Sequence, residues 1–152
     1  MNLSEHVTYK EGTHSYTAKR LNIENIPSED QMWNMITLCT EIFEPLRKWV
    51  GGPIKINSFF RSEELNKAIG GSSKSQHCAG CAIDIDDVYG YKTNAEMFDH
   101  ICTHFDFDQI IWEFGDDTNP DWVHVSYVSP EENRRNALKA ERVNGKTVYS
   151  KM

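Results

Sequence analysis

The segment Ser75-Gln76-His77-Cys78-Ala79-Gly80-Cys81-Ala82-Ile83-Asp84, answered further along by Asp121-Trp122-Val123-His124, decides how the chain reads. Together the two stretches offer His77, Asp84 and His124, two imidazoles and one carboxylate. Three protein ligands of these types, with a fourth position left to water, make up the donor set of a hydrolytic zinc. Asp121, just before the last histidine, adds a candidate acid–base group. The alternating Ala82-Ile83-Asp84-Ile85-Asp86 and the run Trp122–Ser126 predict strands. Side chains alternate between the faces of a strand, so Asp84 opposes Ile83 and Ile85 while His124 opposes Val123 and Val125. Both ligands can then project from one face of a sheet. His77 arrives from a loop that Gly80 lets bend. Asp121 has the opposite parity to His124, and it shares the site only if the chain turns at Pro120-Asp121 before regular strand begins.

Working outward, Ser28-Glu29-Asp30-Gln31 is a capping box. Met32, Met35, Ile36, Cys39, Ile42, Phe43, Leu46 and Trp49 then recur at helical spacing, which predicts an amphipathic helix of about five turns. Pro45 should kink it, and Gly51-Gly52-Pro53 stops it. Residues 54–60 alternate as a strand, and Ser62 caps a short helix ended by Gly70-Gly71. Asn94–Phe105 reads as a second amphipathic helix and Gln109–Phe114 as a third strand, with Trp122–Val128 as a fourth. Ser129-Pro130-Glu131-Glu132 predicts the start of a last helix. Asn144-Gly145 predicts a type I′ hairpin. Leu3–Val7 and Ser15–Leu21 predict short helical turns. The expected fold is α+β: an antiparallel sheet of about four strands carrying the ligands, packed against helices. One domain is expected over residues 1–152, with 1–27 as an N-terminal extension and 138–152 as a C-terminal hairpin or tail.

Composition narrows the function classes. A chain of 152 residues, 39% hydrophobic, can bury a core without staples. A net charge of -7 argues against tracking nucleic-acid phosphates, which needs a basic face. No apolar run approaches the roughly 20 residues that span a bilayer, and the first residues lack the pattern of a secretory signal. Synthesis in the cytoplasm and a monomeric state are therefore expected. Cys39, Cys78, Cys81 and Cys102 are expected as reduced thiols. Cys78 and Cys81 form a Cys-x-x-Cys, but no second pair completes a structural zinc site. The pair also precedes a strand, whereas a redox pair opens a helix. Two small residues on the approach to a strand is the plainer reading.

The pattern Ser-x-His-x-x-Gly-x-Ala-x-Asp over Ser75–Asp84, followed by Asp-x-x-His over Asp121–His124, resembles the zinc D-alanyl-D-alanine carboxypeptidase family of peptidoglycan peptidases. That family shares its fold with the zinc domain of hedgehog signalling proteins. Asn57-Ser58-Phe59-Phe60-Arg61-Ser62 is similar to the family's segment presenting an arginine before a Gly-Gly turn. The resemblance implies Zn²⁺ held by His77, Asp84 and His124. It further implies Asp121 as general base to a zinc-activated water, and Arg61 holding the substrate carbonyl. Peptidoglycan stem peptides would be the substrate, cut by a carboxypeptidase or endopeptidase. A compact form without a leader is similar to phage or prophage endolysins, which reach the wall with a holin's help.

Other readings stay open at this point. Glu113, amid Ile110, Ile111, Trp112 and Phe114, is a rival base whose surroundings invite a raised pKa. Ser75 contacts substrate, braces a ligand or simply caps the loop. The same residues would suit a cytoplasmic D-Ala-D-Ala dipeptidase, or a hedgehog-like module that keeps zinc without hydrolysis. Fe(II) oxygenases also use two histidines and a carboxylate, but usually as His-x-Asp. Nucleobase deaminases need His-x-Glu before Pro-Cys-x-x-Cys, which this chain lacks.

Overall fold

The computed structural model describes residues 1–152. Two short strands, β1 (Asn2–Ser4) and β2 (Val7–Thr8), open the chain and lead into α1 (Tyr9–Thr13) and α2 (Tyr16–Leu21). The helical turn expected at Leu3–Val7 is thus a strand pair. Nor is this region an appendage: Leu3 and Val7 are buried in the main core.

The long amphipathic helix forms as α3 (Glu29–Leu38), a π turn (Cys39–Phe43) and α4 (Glu44–Val50). Ser28 and Gln31 close the capping box that starts it. Pro45 explains the π turn. A proline ring crowds the carbonyl four residues back and offers no N–H. The helix widens just ahead of it, with Glu44 N–H donating to Cys39 O, five residues earlier.

After this helix come β3 (Lys55–Ser58), α5 (Glu63–Ala68), a 3-10 turn (Gln76–Ala79), β4 (Ala82–Asp86), α6 (Asn94–His104), β5 (Gln109–Glu113), β6 (Trp122–Ser126), β7 (Asn136–Val143) and β8 (Lys146–Lys151). The main sheet has six strands, not four, in the order β3-β4-β6-β5-β7-β8. It is antiparallel except where β7 pairs parallel to β5. The helix expected from Ser129 is absent. Glu132 and Asn133 close a turn on the Ser129 carbonyl, and the chain then pairs with the free edge of β5, Asn136 N–H donating to Asp108 O at 2.9 Å. An open sheet edge outweighs the helix-favouring composition of Asn136–Val143. The hairpin β7–β8 turns at Asn144 (φ 52°) and Gly145 (φ 77°), the positive pair a type I′ turn requires.

The register sorts every strand residue onto one of two faces. Asp84 lies opposite His124 on β4–β6, His124 opposite Ile111 on β5–β6, and Glu113 opposite Trp122. Directly opposed residues share a face. Asp84, His124, Ile111, Glu113 and Trp122 therefore all point to one side. Ile83, Ile85, Ile110, Trp112, Val123 and Val125 point to the other, where they are buried with α3, α4 and α6. One side of the sheet is the core, and the other is the floor of a cleft. No helix is long and apolar enough to cross a membrane.

Candidate metal centre and catalytic cleft

His77 owes its position to the 3-10 turn. Ser75 Oγ caps the turn by accepting from His77 N–H at 3.3 Å, and Gly80 closes it in the left-handed region at φ 77°. Helix α3 grips the same turn from behind: Gln31 Nε2 donates to Cys78 O (3.1 Å) and Asn34 Nδ2 to Ala79 O (2.9 Å). A Cβ on Gly80 would fall 2.5 Å from Gln31 O, so the close approach of helix and turn depends on glycine.

The imidazole's state follows from its partners. His77 Nδ1 lies 2.6 Å from Phe59 O. A carbonyl only accepts, so Nδ1 carries the proton and Nε2 is left with a lone pair. Burial lowers the His77 pKa, against the pull of Asp84, and so favours this neutral form. Nε2 is buried and has no hydrogen-bond partner, yet Asp84 Oδ1 stands 3.3 Å away. A lone pair facing a carboxylate oxygen with no proton between them is unfavourable unless a cation sits there. His124 Nδ1 lies 3.0 Å from the same Oδ1. Zinc bonds of about 2.0–2.2 Å in a tetrahedron put neighbouring ligand atoms about 3.3 Å apart, close to both spacings. The donor set fits zinc.

Asp84 is buried, which alone would raise its pKa. The imidazoles of His77 and His124 overcome that and hold the carboxyl well below the usual carboxylate range. Arg61 Nη2 donates to the second oxygen, Oδ2, at 3.3 Å. The guanidinium is itself held by Ser58 Oγ at Nε (3.0 Å) and Asn66 Oδ1 at Nη1 (3.2 Å). Arg61 thus orients the carboxylate ligand, a partner of the kind that tunes metal sites. Ser58 and Phe59 lie in the segment that resembles the family's arginine segment, but only the folded contacts reveal their roles and that of Asn66.

These groups lie in a cleft of about 630 Å³ whose lining includes Arg61, His77, Asp84, Glu113, Trp122 and His124. Glu113 is buried on its floor. Burial pushes its carboxyl up to about 7, opposed by His124, helped by Asp84 and opposed again by Arg61. Asp121 is not brought into this cleft. It is exposed and lines a neighbouring depression with Asp116, Lys139 and Arg142. Asp121 sits in the bend just before β6, with its N–H donating to Glu113 O at 2.9 Å, and its side chain stays exposed. The chain does bend there, but the bend leaves the Asp121 side chain beside Asp116 and Arg142 rather than beside His124. The four cysteines are free, Cys78 half-buried beside the site and Cys81 buried.

A second donor group, Glu5, His6 and Glu44, also falls within ligand spacing. The Glu44 carboxylate is already satisfied by Ser4 Oγ and by the backbone and ring of His6. It leaves no orphaned atom that calls for a metal.

Residues 5–126 match the family model described as Peptidase M15. The chain belongs to the peptidase M15 family. M15 peptidases are zinc-dependent, and the matched region contains the candidate ligands, Arg61 and Glu113. No curated protein matches the chain closely enough to count as a relative. The match ends before the turn at Ser129 and the hairpin β7–β8, so these parts of the cleft wall lie outside what the M15 model describes.

Proposed function

We propose that this M15 chain is a zinc peptidase that hydrolyses amide bonds of peptidoglycan stem peptides, with His77, Asp84 and His124 as the metal ligands. The observation that carries the reading is His77 Nε2, a buried lone pair aimed at a carboxylate oxygen with no proton between them. When bound, zinc supplies Lewis acidity that polarises a carbonyl and lowers the pKa of water toward about 7.

Glu113 is the base in this account. It shares the cleft with the ligands, and burial raises its carboxyl, which suits a group that takes up a proton and then returns it. It accepts a proton as a water oxygen bonds to the carbonyl carbon, then passes it to the amine nitrogen as the C–N bond breaks. Asp121, favoured by sequence pattern, lies outside the cleft. Arg61 uses one N–H of each of Nη1 and Nη2 on Asn66 and Asp84. The remaining N–H groups are available to a developing oxyanion. Ser75 braces the His77 turn rather than binding substrate.

The peptidoglycan assignment rests on the Ser75–Asp84 and Asp121–His124 motifs together with the family. Action on the wall after holin-type release from the producing cell belongs to the same proposal. Mass spectrometry of defined muropeptides digested by zinc-loaded and chelated protein tests it. Zinc-dependent release of peptide fragments is expected. Zero turnover by fully zinc-loaded protein would point instead to a non-hydrolytic, hedgehog-like zinc module.

A further inference from the structure

We propose that Arg134 is a specificity residue that binds the free C-terminal carboxylate of the substrate, which makes the enzyme a carboxypeptidase; this rests on the peptidase reading above. Arg134 lines the same cleft as His77, Glu113 and His124, but lies beyond the region matched to the family.

Its guanidinium is held in place along one edge only. Nε donates to Asp108 Oδ1 at 2.9 Å and Nη2 to Oδ2 at 2.7 Å. A guanidinium has a second edge, formed by Nη1 and the other N–H of Nη2. Nη1 makes no hydrogen bond within the protein, and the side chain is 58% exposed while that of Asp108 is 3% exposed. A buried carboxylate thus fixes a planar fork whose open edge matches another carboxylate in bidentate fashion.

The surroundings hold this fork still. Gln76, the neighbour of His77, donates through Nε2 to Asp108 Oδ2 at 2.9 Å, tying the Arg134 anchor to the turn that carries a metal ligand. The backbone N–H of Arg134 donates to Asp108 Oδ1 at 3.0 Å. Next to it, Arg135 donates to the carbonyls of Phe105 and Cys102 at the end of α6. The cleft's charge also runs against that of the chain. The protein carries 23 acidic and 16 basic side chains, whereas the cleft lining has Arg61, Lys74 and Arg134 against Asp84 and Glu113. Arg61 holds Asp84, and its free N–H groups are assigned above to the oxyanion. Arg134 is the preorganised fork left for an anionic group.

Two probes test this on zinc-loaded protein: diacetyl-L-Lys-D-Ala-D-Ala and the same peptide with its C-terminus amidated. Calorimetry reads binding and mass spectrometry reads release of D-Ala. Wild type should bind the acid about 10- to 100-fold more tightly than the amide, the span of a charge-assisted contact, and Arg134→Gln should bring that ratio toward one. Asp108→Asn/Arg134→Gln removes both charges together, so no buried carboxylate is stranded should the single variant fail to fold. Equal binding of acid and amide by wild type would overturn the inference, as would an unchanged ratio in either folded variant. Acid-selective binding that depends on Arg134 but leads to no turnover would sink the peptidase reading and leave Arg134 as an anion anchor. Turnover without acid preference would do the reverse.

Discussion

Replacing Glu113 by Gln removes a buried carboxylate from the cleft floor while keeping its size and hydrogen-bonding shape. The structure sets the expected magnitude. Glu113 is 8% exposed, and in the metal-free protein burial raises its carboxyl, which favours its taking up a proton from water. General acid–base catalysis by a positioned group is worth about 10²–10⁴-fold, or about 2.7–5.4 kcal/mol of barrier. Glu113→Gln should lose that much kcat with zinc still bound. Asp121→Asn, an exposed change outside the cleft, should stay within about 0.5 kcal/mol, roughly twofold. The assay is steady-state amine release from one defined muropeptide at pH 7.5, with metal content measured on each variant. A hundredfold loss in Asp121→Asn beside a nearly intact Glu113→Gln would refute the assignment, and with it the argument from strand parity.

Two further outcomes follow from the same geometry. In metal-free protein, the Glu113 carboxyl is neutral in both folded and unfolded chains below its ordinary value of 4.5, and costs nothing there. As pH rises from 4.5 to about 7 the unfolded chain ionises while the folded one resists, so wild type loses stability across that window and no further above it. Metal-free Glu113→Gln should therefore exceed wild type by about 3–4 kcal/mol at pH 9 and match it at pH 4 in urea unfolding, allowing about 1.4 kcal/mol per pKa unit over the rise from 4.5 to about 7; equal curves at both pH values would show the carboxylate is not desolvated. Gly80→Ala meets both a left-handed φ of 77° and the Gln31 carbonyl at 2.5 Å. It should lower stability by about 1–3 kcal/mol and weaken zinc affinity by displacing His77, both readable by thermal unfolding and a competitive metal indicator.

The ligand set was legible in the sequence because strand alternation needs no knowledge of pairing. Asp84 and His124 each oppose apolar neighbours, and the two strands need only be adjacent. The choice between Asp121 and Glu113 could not be made that way. It depends on the register that sets Glu113 opposite Trp122, and on how the chain bends at Asp121 before β6 begins. The sequence showed Glu113 as an acid in an apolar run, but not which face it takes. The helix expected to start at Ser129 does not form, although Ala137, Leu138, Lys139, Ala140 and Glu141 just beyond it favour a helix when considered locally. The strand state of Asn136–Val143 comes from the open edge of β5, a tertiary fact. The orienting partners, Phe59 O, Ser58, Asn66 and Asp108, contribute through backbone atoms or common polar side chains and carry no pattern of their own.

Anomalous diffraction at the zinc absorption edge, from crystals of protein loaded with one equivalent of zinc, addresses the central claim most directly. The account predicts a single strong peak bonded to His77 Nε2, an Asp84 carboxylate oxygen and His124 Nδ1, at about 2.0–2.2 Å each. A peak at Glu5, His6 and Glu44 instead, or no peak beside His77 in fully loaded protein, would contradict it.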